Sequence, residues 1–325
     1  MKIGLIGGYG HNILRHFPEG EFSWACDGYD QEALNKAEAA GIKNVFQDVE
    51  TMLAEFTPDI VYVGSAYGRN GSIALRMLER GFSVVSEKPL ATEAATFGHL
   101  VKATGGGKRG IVAELTMRGS PEITKVRELV QSGRIGSPVL IQAQKTYKFG
   151  NKRPSFYKEA DLFGGIIPWV AIHAIDYAMW CSGLRYESVQ ATQGNRCFPD
   201  YPGMEDHAAM LFRMSGGVPC LITADFLRPR GAPSHGDDRL RITGSSGIVE
   251  LRGDLVCVSD GEKTEEWDLS GETADAASLA REMVSAALDG ESTLFSTSDA
   301  MHVTAAALAA KTSAAANGET IKIEE

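Results

Sequence analysis

The chain has 325 residues, beyond the size at which one hydrophobic core usually stops growing, so two domains are expected. Its 43% apolar and 23% charged residues are ordinary for a globular cytosolic enzyme and leave material for a substantial core. A net charge of −10, from 42 acidic against 32 basic side chains with no long basic run, argues against a nucleic-acid partner gripped through its phosphates.

Short apolar runs alternate with helical patterns through the first third of the chain. Strands are expected at 3–6, 22–26, 45–46, 60–63, 82–86 and 110–114. Helices are expected from the first strand through about Phe17, and at 30–40, 50–56, 71–80 and 92–104, the last broken by Gly105-Gly106-Gly107. This alternation signals βαβ units, and right-handed crossovers then give a doubly wound parallel sheet, a Rossmann-type domain. After about Arg118 the texture changes. A helix at 121–131 leads to a strand at 138–145, and a long apolar helix at 164–183 is entered through Gly164-Gly165. Strands follow at 187–192, 208–214, 219–226, 239–243, 247–252 and 255–259 without helices between them, which implies a mostly antiparallel sheet. Helices at 276–288 and 299–316, the second capped by Ser298 and stopped by Gly318, precede a last strand at 320–323. The expected class is α/β: a dinucleotide-binding domain over 1–117 and a substrate-binding α+β domain over 118–325.

The five cysteines (Cys26, Cys181, Cys197, Cys220, Cys257) are scattered and form no CxxC pair, so neither a disulfide framework nor a structural zinc site is expected. The chain runs from Met1-Lys2 directly into a strand, without signal-peptide architecture. The 164–183 stretch carries His173 and Asp176 and reads as a core helix. The expectation is a cytoplasmic protein with no membrane partner.

Three constellations carry chemistry. Gly7-Gly8-Tyr9-Gly10 follows the first strand, where glycines let backbone approach a pyrophosphate seated on the next helix's N-terminal N–H groups. The match to GxGxxG is imperfect: counted from Gly8, Gly10 fits and Ile13 replaces the last glycine. Asp27 stands 20 residues after Gly7, the spacing of a carboxylate that binds the adenosine ribose. With no Lys or Arg between Asp27 and Lys36, NAD is favoured over NADP. Second, Glu87-Lys88-Pro89 lies at the carboxyl end of a parallel strand, where ligands of open sheets bind, and an ammonium there can steady a developing alkoxide. Third, His173 and Asp176 share a helix face at i and i+3, so a proton-exchanging imidazole has a carboxylate beside it. The plainer alternatives are a turn that binds nothing, a surface lysine and a core histidine. A metal set of His173, Asp176, Glu205 and His207 lacks any recognised ligand spacing, and no metal is expected.

With these residues in hand the chain resembles the glucose-fructose oxidoreductase and inositol dehydrogenase (Gfo/Idh/MocA) family over nearly its whole length. The resemblance rests on the Gly-rich turn, Asp59-Ile60-Val61 running into Ser65, the 81–91 segment with Glu87-Lys88-Pro89, Ser132-Gly133-Arg134-Ile135-Gly136, His173-Ala174-Ile175-Asp176 and the 239–244 strand. It implies an NAD(P)-dependent dehydrogenase of a sugar, sugar derivative or cyclitol, with a large open sheet used for homodimer or homotetramer contacts. It implies Lys88 as proton-relay lysine, His173 as acid/base, and Glu87, Ser65 and Asn70 in the cofactor set. Trp169 stands where the family often has an aspartate, and either stacks on a sugar ring or fills core. Arg118, Arg153 and Tyr157 are read as contacts to substrate hydroxyls. Two other functions stay open: an NAD-using glycoside hydrolase or lyase with internal redox cycling, and a non-catalytic NAD- and sugar-binding sensor.

Overall fold

A computed structural model describes residues 1–27, 31–105, 110–150 and 153–324. Asp30, Gly106 and Gly107, which figured in the expected elements, lie outside the described residues. The chain divides into two compact units, Met1–Glu114 with Asp275–Met301, and Leu115–Ala274 with His302–Glu325.

The first unit is a six-stranded sheet of β1 (Lys2–Ile6), β2 (Glu21–Ala25), β3 (Asn44–Phe46), β4 (Ile60–Val63), β5 (Ser83–Ser86) and β6 (Ile111–Ala113). Its order is β3-β2-β1-β4-β5-β6 with every pair parallel, so the direction of winding reverses between β1 and β4. Strands covered on both faces read as unbroken apolar runs, and Ile60, Val61, Tyr62 and Val63 are all fully buried. The crossovers carry α1 (Gln31–Ala39), α2 (Val49–Glu55), α3 (Tyr67–Glu79) and α4 (Ala94–Thr104). Asp48 caps α2 by accepting from Thr51 N–H at 2.8 Å. The third helix begins four residues before the expected start. Gly71 lies inside it because a Cβ there would press on the Leu90 carbonyl.

The first crossover departs from expectation. The helix expected through Phe17 is a four-residue 3-10 turn, Ile13–His16, entered through Asn12 in the left-handed region at φ 53°. A helix from late in the chain, Ala276–Leu288, packs there instead. Its Leu279, Ala280, Met283 and Val284 join Ile3, Leu5, Ile13, Leu14 and Trp24 in one buried cluster. Apolar burial of this kind places Asp275–Met301 with the first unit, where a boundary at 117 had assigned everything later to the second.

The second unit begins with a 3-10 turn, Thr116–Gly119, and α5 (Pro121–Gln131), with proline in its first turn. Its sheet comprises β7 (Pro138–Tyr147), β8 (Tyr186–Gly194), β9 (His207–Met214), β10 (Pro219–Asp225), β11 (Gly236–Gly244), β12 (Gly247–Arg252), β13 (Leu255–Asp260), β14 (Thr264–Asp268) and β15 (Ile321–Lys322). The order is β14-β13-β12-β11-β7-β10-β9-β8-β15, antiparallel except for β7 with β10. Burial alternates along β9 and β10, which bury one face and leave Leu211 opposite Leu221 on the other. The unexpected strand is β14, whose Thr-Glu-Glu-Trp-Asp sequence offers no apolar run because it is an exposed edge. Before β8, the short α6 (Ala160–Phe163) ends at Gly164 (φ 81°) and Gly165 (φ 110°), the expected turn. A π-helical turn, Ile167–Ala171, runs into α7 (Ile172–Ser182). The stretch Ala160–Ser182 is long and apolar enough to cross a membrane, but 94% of its apolar window is buried inside the protein.

The late helices are α8 (Ala276–Leu288) and α9 (Thr297–Ala315). The cap of α9 is Ser296 rather than Ser298, since its hydroxyl accepts from Asp299 N–H at 3.0 Å. All five cysteines are free, and Cys26, Cys181 and Cys220 are buried.

Candidate functional site

In the first unit the Gly-rich turn sits at the carboxyl ends of β1 and β4, where the sheet order reverses and doubly wound sheets open a crevice. Gly7 (φ 85°) has no room for a side chain, because a Cβ would strike the backbone of Gly64 and Ser65. The indole of Trp24 donates to the Gly7 carbonyl at 2.7 Å, and Tyr9 N–H donates to Gly64 O at 2.8 Å. Gly10 (φ 91°) is required for another reason: a Cβ there would collide with the Glu87 carboxylate.

Asp27, just beyond β2, accepts from the Ser65 hydroxyl. Arg69 of α3 also faces it, with Nε 3.4 Å from its carboxylate and Nη2 donating to its carbonyl at 2.8 Å. No cation follows Asp27 in the sequence before Lys36, but the α3 crossover returns Arg69 to the same place. Asn70 is fully buried. Its Oδ1 accepts from Ser65 N–H at 2.8 Å and its Nδ2 donates to Glu87 O at 3.4 Å, tying the turn after β4 to the turn after β5.

Glu87 and Lys88 are both buried, and the Lys88–Pro89 peptide is cis. The Glu87 carboxylate faces His11: Oε2 accepts from His11 N–H at 2.8 Å and lies 2.9 Å from His11 Nδ1, while Oε1 accepts from Lys88 N–H at 3.1 Å. Glu114, at the end of β6, accepts from the Tyr62 hydroxyl at 2.5 Å, and that hydroxyl accepts from Asn12 N–H at 3.1 Å. Burial, then the Glu87 charge, pushes the Glu114 carboxyl up to about 8. Burial works against ionisation of Glu87 too, but His11 and Lys88 outweigh it and hold its pKa below the usual carboxylate value. The charge of Glu87 raises His11 in return.

Neither His11 nor Glu114 was singled out from sequence. The available signal was a carboxylate closing an otherwise apolar strand. In place of the expected long helix, the short 3-10 turn Ile13–His16 follows the glycine turn, and the N–H groups of His11 and Asn12 are engaged by Glu87 and Tyr62. What fits a dinucleotide is the reversal point itself, with Asp27 held beside Ser65.

In the second unit His173 and Asp176 lie in the first half of α7, and both are buried. Arg118, expected as a contact to substrate hydroxyls, is 1% exposed and grips Asp176, with Nε 3.0 and 3.1 Å from its two oxygens and Nη2 2.6 Å from Oδ1. The Asp176 carboxylate expected to orient His173 or bind a hydroxyl is therefore held by Arg118. A π-helical turn precedes His173 and contains Trp169, which is half-buried and whose backbone N–H donates to Gly165 O at 3.1 Å. Such turns recur at functional positions. Tyr157, expected as a contact to substrate hydroxyls, is 1% exposed and packed among Phe149, Phe156, Phe163 and Phe226. Arg153 is half-buried, with its guanidinium 5.2–5.5 Å from the Phe149, Tyr157 and Phe226 rings.

Comparison with known proteins agrees with both halves. Residues 1–108 match the model of the oxidoreductase family with an NAD-binding Rossmann fold, and residues 123–250 match the GFO/IDH/MocA C-terminal domain. The chain is similar to trans-1,2-dihydrobenzene-1,2-diol dehydrogenase of Xenopus tropicalis, 22% identical over 69% of this chain and 65% of the relative. It is also similar to inositol 2-dehydrogenase 2 of Saccharopolyspora erythraea, 27% identical over 67% of this chain and 64% of the relative. The chain thus spans about 65% of the length of the first curated relatives it matches. A solved structure from Thermotoga maritima, described as an oxidoreductase, superimposes with a TM-score of 0.90 at 30% identity, covering 99% of this chain and 100% of that one. The strand order, the reversal-point turn and both matched halves lead to one conclusion: this chain belongs to the Gfo/Idh/MocA oxidoreductase family.

Proposed function

We propose that the protein is an NAD(H)-dependent dehydrogenase that oxidises a CH–OH carbon of a small polyhydroxylated ring, a sugar derivative or cyclitol. The observation that carries the reading is Asp27 held by Ser65 at the reversal point of the parallel sheet, with Lys88 buried at the end of β5. The relatives' names support the ring class, since a dihydrobenzene diol and an inositol both present vicinal hydroxyls on a six-membered ring.

A bound nicotinamide supplies the hydride acceptor. Asp27 accepts hydrogen bonds from the adenosine ribose hydroxyls, and its charge disfavours a 2′-phosphate, so NAD is preferred to NADP. Arg69 beside it offsets part of that repulsion. Glu87 and Asn70 serve the cofactor side by positioning the glycine turn and the turn after β4. His173 takes the proton of the substrate hydroxyl as the carbinol hydride leaves, and the Lys88 ammonium steadies the oxygen's developing charge. In a dry site such charge–charge terms are worth far more than in water. Arg153 and Trp169, both half-buried, are assigned to the substrate side.

Reduction of NAD and of NADP, followed at 340 nm against a panel of inositols, cyclic diols, sugars and sugar acids, tests the reading. Turnover with at least one cyclic polyol is expected, and none with any member overturns it. A second reading, a sensor that binds cofactor and sugar without turnover, draws on Arg118 holding the Asp176 carboxylate. Saturable binding without NADH formation in the same panel is its mark. We further assign a homodimer or homotetramer, supported by solvent-facing Leu211 and Leu221 on the open sheet face, with sedimentation velocity as its test.

A further inference from the structure

We propose that His11, Glu87 and Glu114 form a binding site for one divalent first-row transition-metal ion, of the Zn2+ and Mn2+ class, within the first unit. The three side chains come from the turn after β1 and the ends of β5 and β6, and one ligand atom of each lies within 4.8 Å of the other two. On a tetrahedral ion, bonds of about 2.0–2.2 Å put two ligand atoms roughly 3.3–3.6 Å apart, so a pair standing at the 4.8 Å limit would close by about an ångström on binding.

Each carboxylate is already oriented from behind, as ligating carboxylates generally are. Lys88 N–H holds Oε1 of Glu87, and the Tyr62 hydroxyl holds Oε2 of Glu114. The remaining oxygen of Glu87 turns toward His11 Nδ1. The remaining oxygen of Glu114, Oε1, is buried without a hydrogen-bond partner, although Glu114 is 0% exposed. A buried carboxylate oxygen left unsatisfied is costly, and a bound ion or water is one of the few things that accounts for it in native proteins. Two buried carboxylates this close repel when both are ionised, and a doubly charged cation would take the place of the proton that otherwise relieves the repulsion.

The chemistry selects the ion class. One imidazole nitrogen with two carboxylate oxygens suits borderline metals better than Ca2+ or Mg2+, which prefer all-oxygen shells. The His11 side chain is 57% exposed, which gives an ion entry without unfolding and leaves room for water as further ligands. Its bond would fix the glycine turn to β5 and β6. No local spacing announces the set, because its members are separated by whole βαβ units.

The test uses the full chain, stripped with chelator and titrated with ZnCl2 and with MnCl2 by calorimetry, with metal content checked by mass spectrometry. One ion per chain is expected, with a rise in melting temperature on loading. Glu114→Gln keeps the side chain's size, and His11→Ala alters a mostly exposed ring. Each is expected to weaken binding by at least about 100-fold, since even outer-shell partners are worth roughly 10–100-fold. If Glu114→Gln fails to fold, His11→Ala decides alone. Absence of stoichiometric binding by the unaltered protein overturns the proposal, as does binding that persists undiminished in His11→Ala. Neither result depends on cofactor or substrate, so failure here is distinct from failure of the dehydrogenase reading.

Discussion

Arg118 and Asp176 meet in the interior of the second unit, each 1% exposed, with three N–H···O contacts of 2.6 to 3.1 Å. Removing one partner of such a pair strands a buried charge, whereas removing both does not. Arg118→Met is expected to cost about 3–5 kcal/mol, and Arg118→Met with Asp176→Leu to recover most of that loss. Urea denaturation of the two variants measures it. A single variant as stable as the original would show that the pair carries no such weight.

Gly10→Ala is expected to disturb the turn after β1 by two routes. The backbone is left-handed at φ 91°, and the added methyl would meet the Glu87 carboxylate. A loss above about 1 kcal/mol is expected from the backbone alone. Thermal unfolding and NADH fluorescence titration should both worsen. Gly41→Ala, also at positive φ but with open space around it, should unfold somewhat earlier yet bind NADH as before.

Asp27→Ala removes the carboxylate that Ser65 and Arg69 hold. The expected result is a fall in NAD affinity together with a rise in NADP affinity, because Arg69 then faces a 2′-phosphate without a competing anion. Titration with both cofactors checks it. An unchanged NAD:NADP ratio would remove Asp27 from the cofactor site.

Buried Asp206 offers a pH test. Burial opposes its ionisation, but the His207 ring and the N–H groups of Cys197 and Arg196 outweigh that, so its folded pKa lies below the ordinary value. A depressed carboxylate contributes stability above its unfolded pKa and loses it as pH falls through the folded one. Asp206→Asn should therefore be less stable than the unaltered protein at pH 7. The gap should shrink below about pH 4, the unfolded carboxylate range, in denaturation series at several pH values.

Much of the fold was legible because the relevant signals are local. Apolar runs at 60–63 and the 3.6-residue pattern at 276–288 report their own burial, and both elements end where the sequence placed them. The first crossover was not legible: whether residues 7–17 form a helix depends on Ala276–Leu288 packing there, a fact stored far away in the chain. The edge strand β14 has no buried face and so no hydrophobic signal. At the site, Glu87-Lys88-Pro89 and His173 stood out as local motifs. His11, Glu114 and Arg69 acquire meaning only from partners 76, 52 and 42 positions away. Arg118 and Tyr157 read as substrate contacts because nothing in the neighbouring sequence shows that an aspartate or an aromatic cluster will enclose them.

The proposed chemistry asks the Lys88 ammonium and the His173 imidazole to act on one substrate hydroxyl. Single-turnover hydride transfer to NAD, measured for Lys88→Ala, His173→Ala and the double variant with the best substrate of the panel, tests this most directly. Each single change should slow transfer by roughly 100- to 10,000-fold while NADH binding stays nearly unchanged. The double variant should lose less than the product of the two, as groups acting as a unit do. Wild-type transfer rates in either single variant would contradict the account.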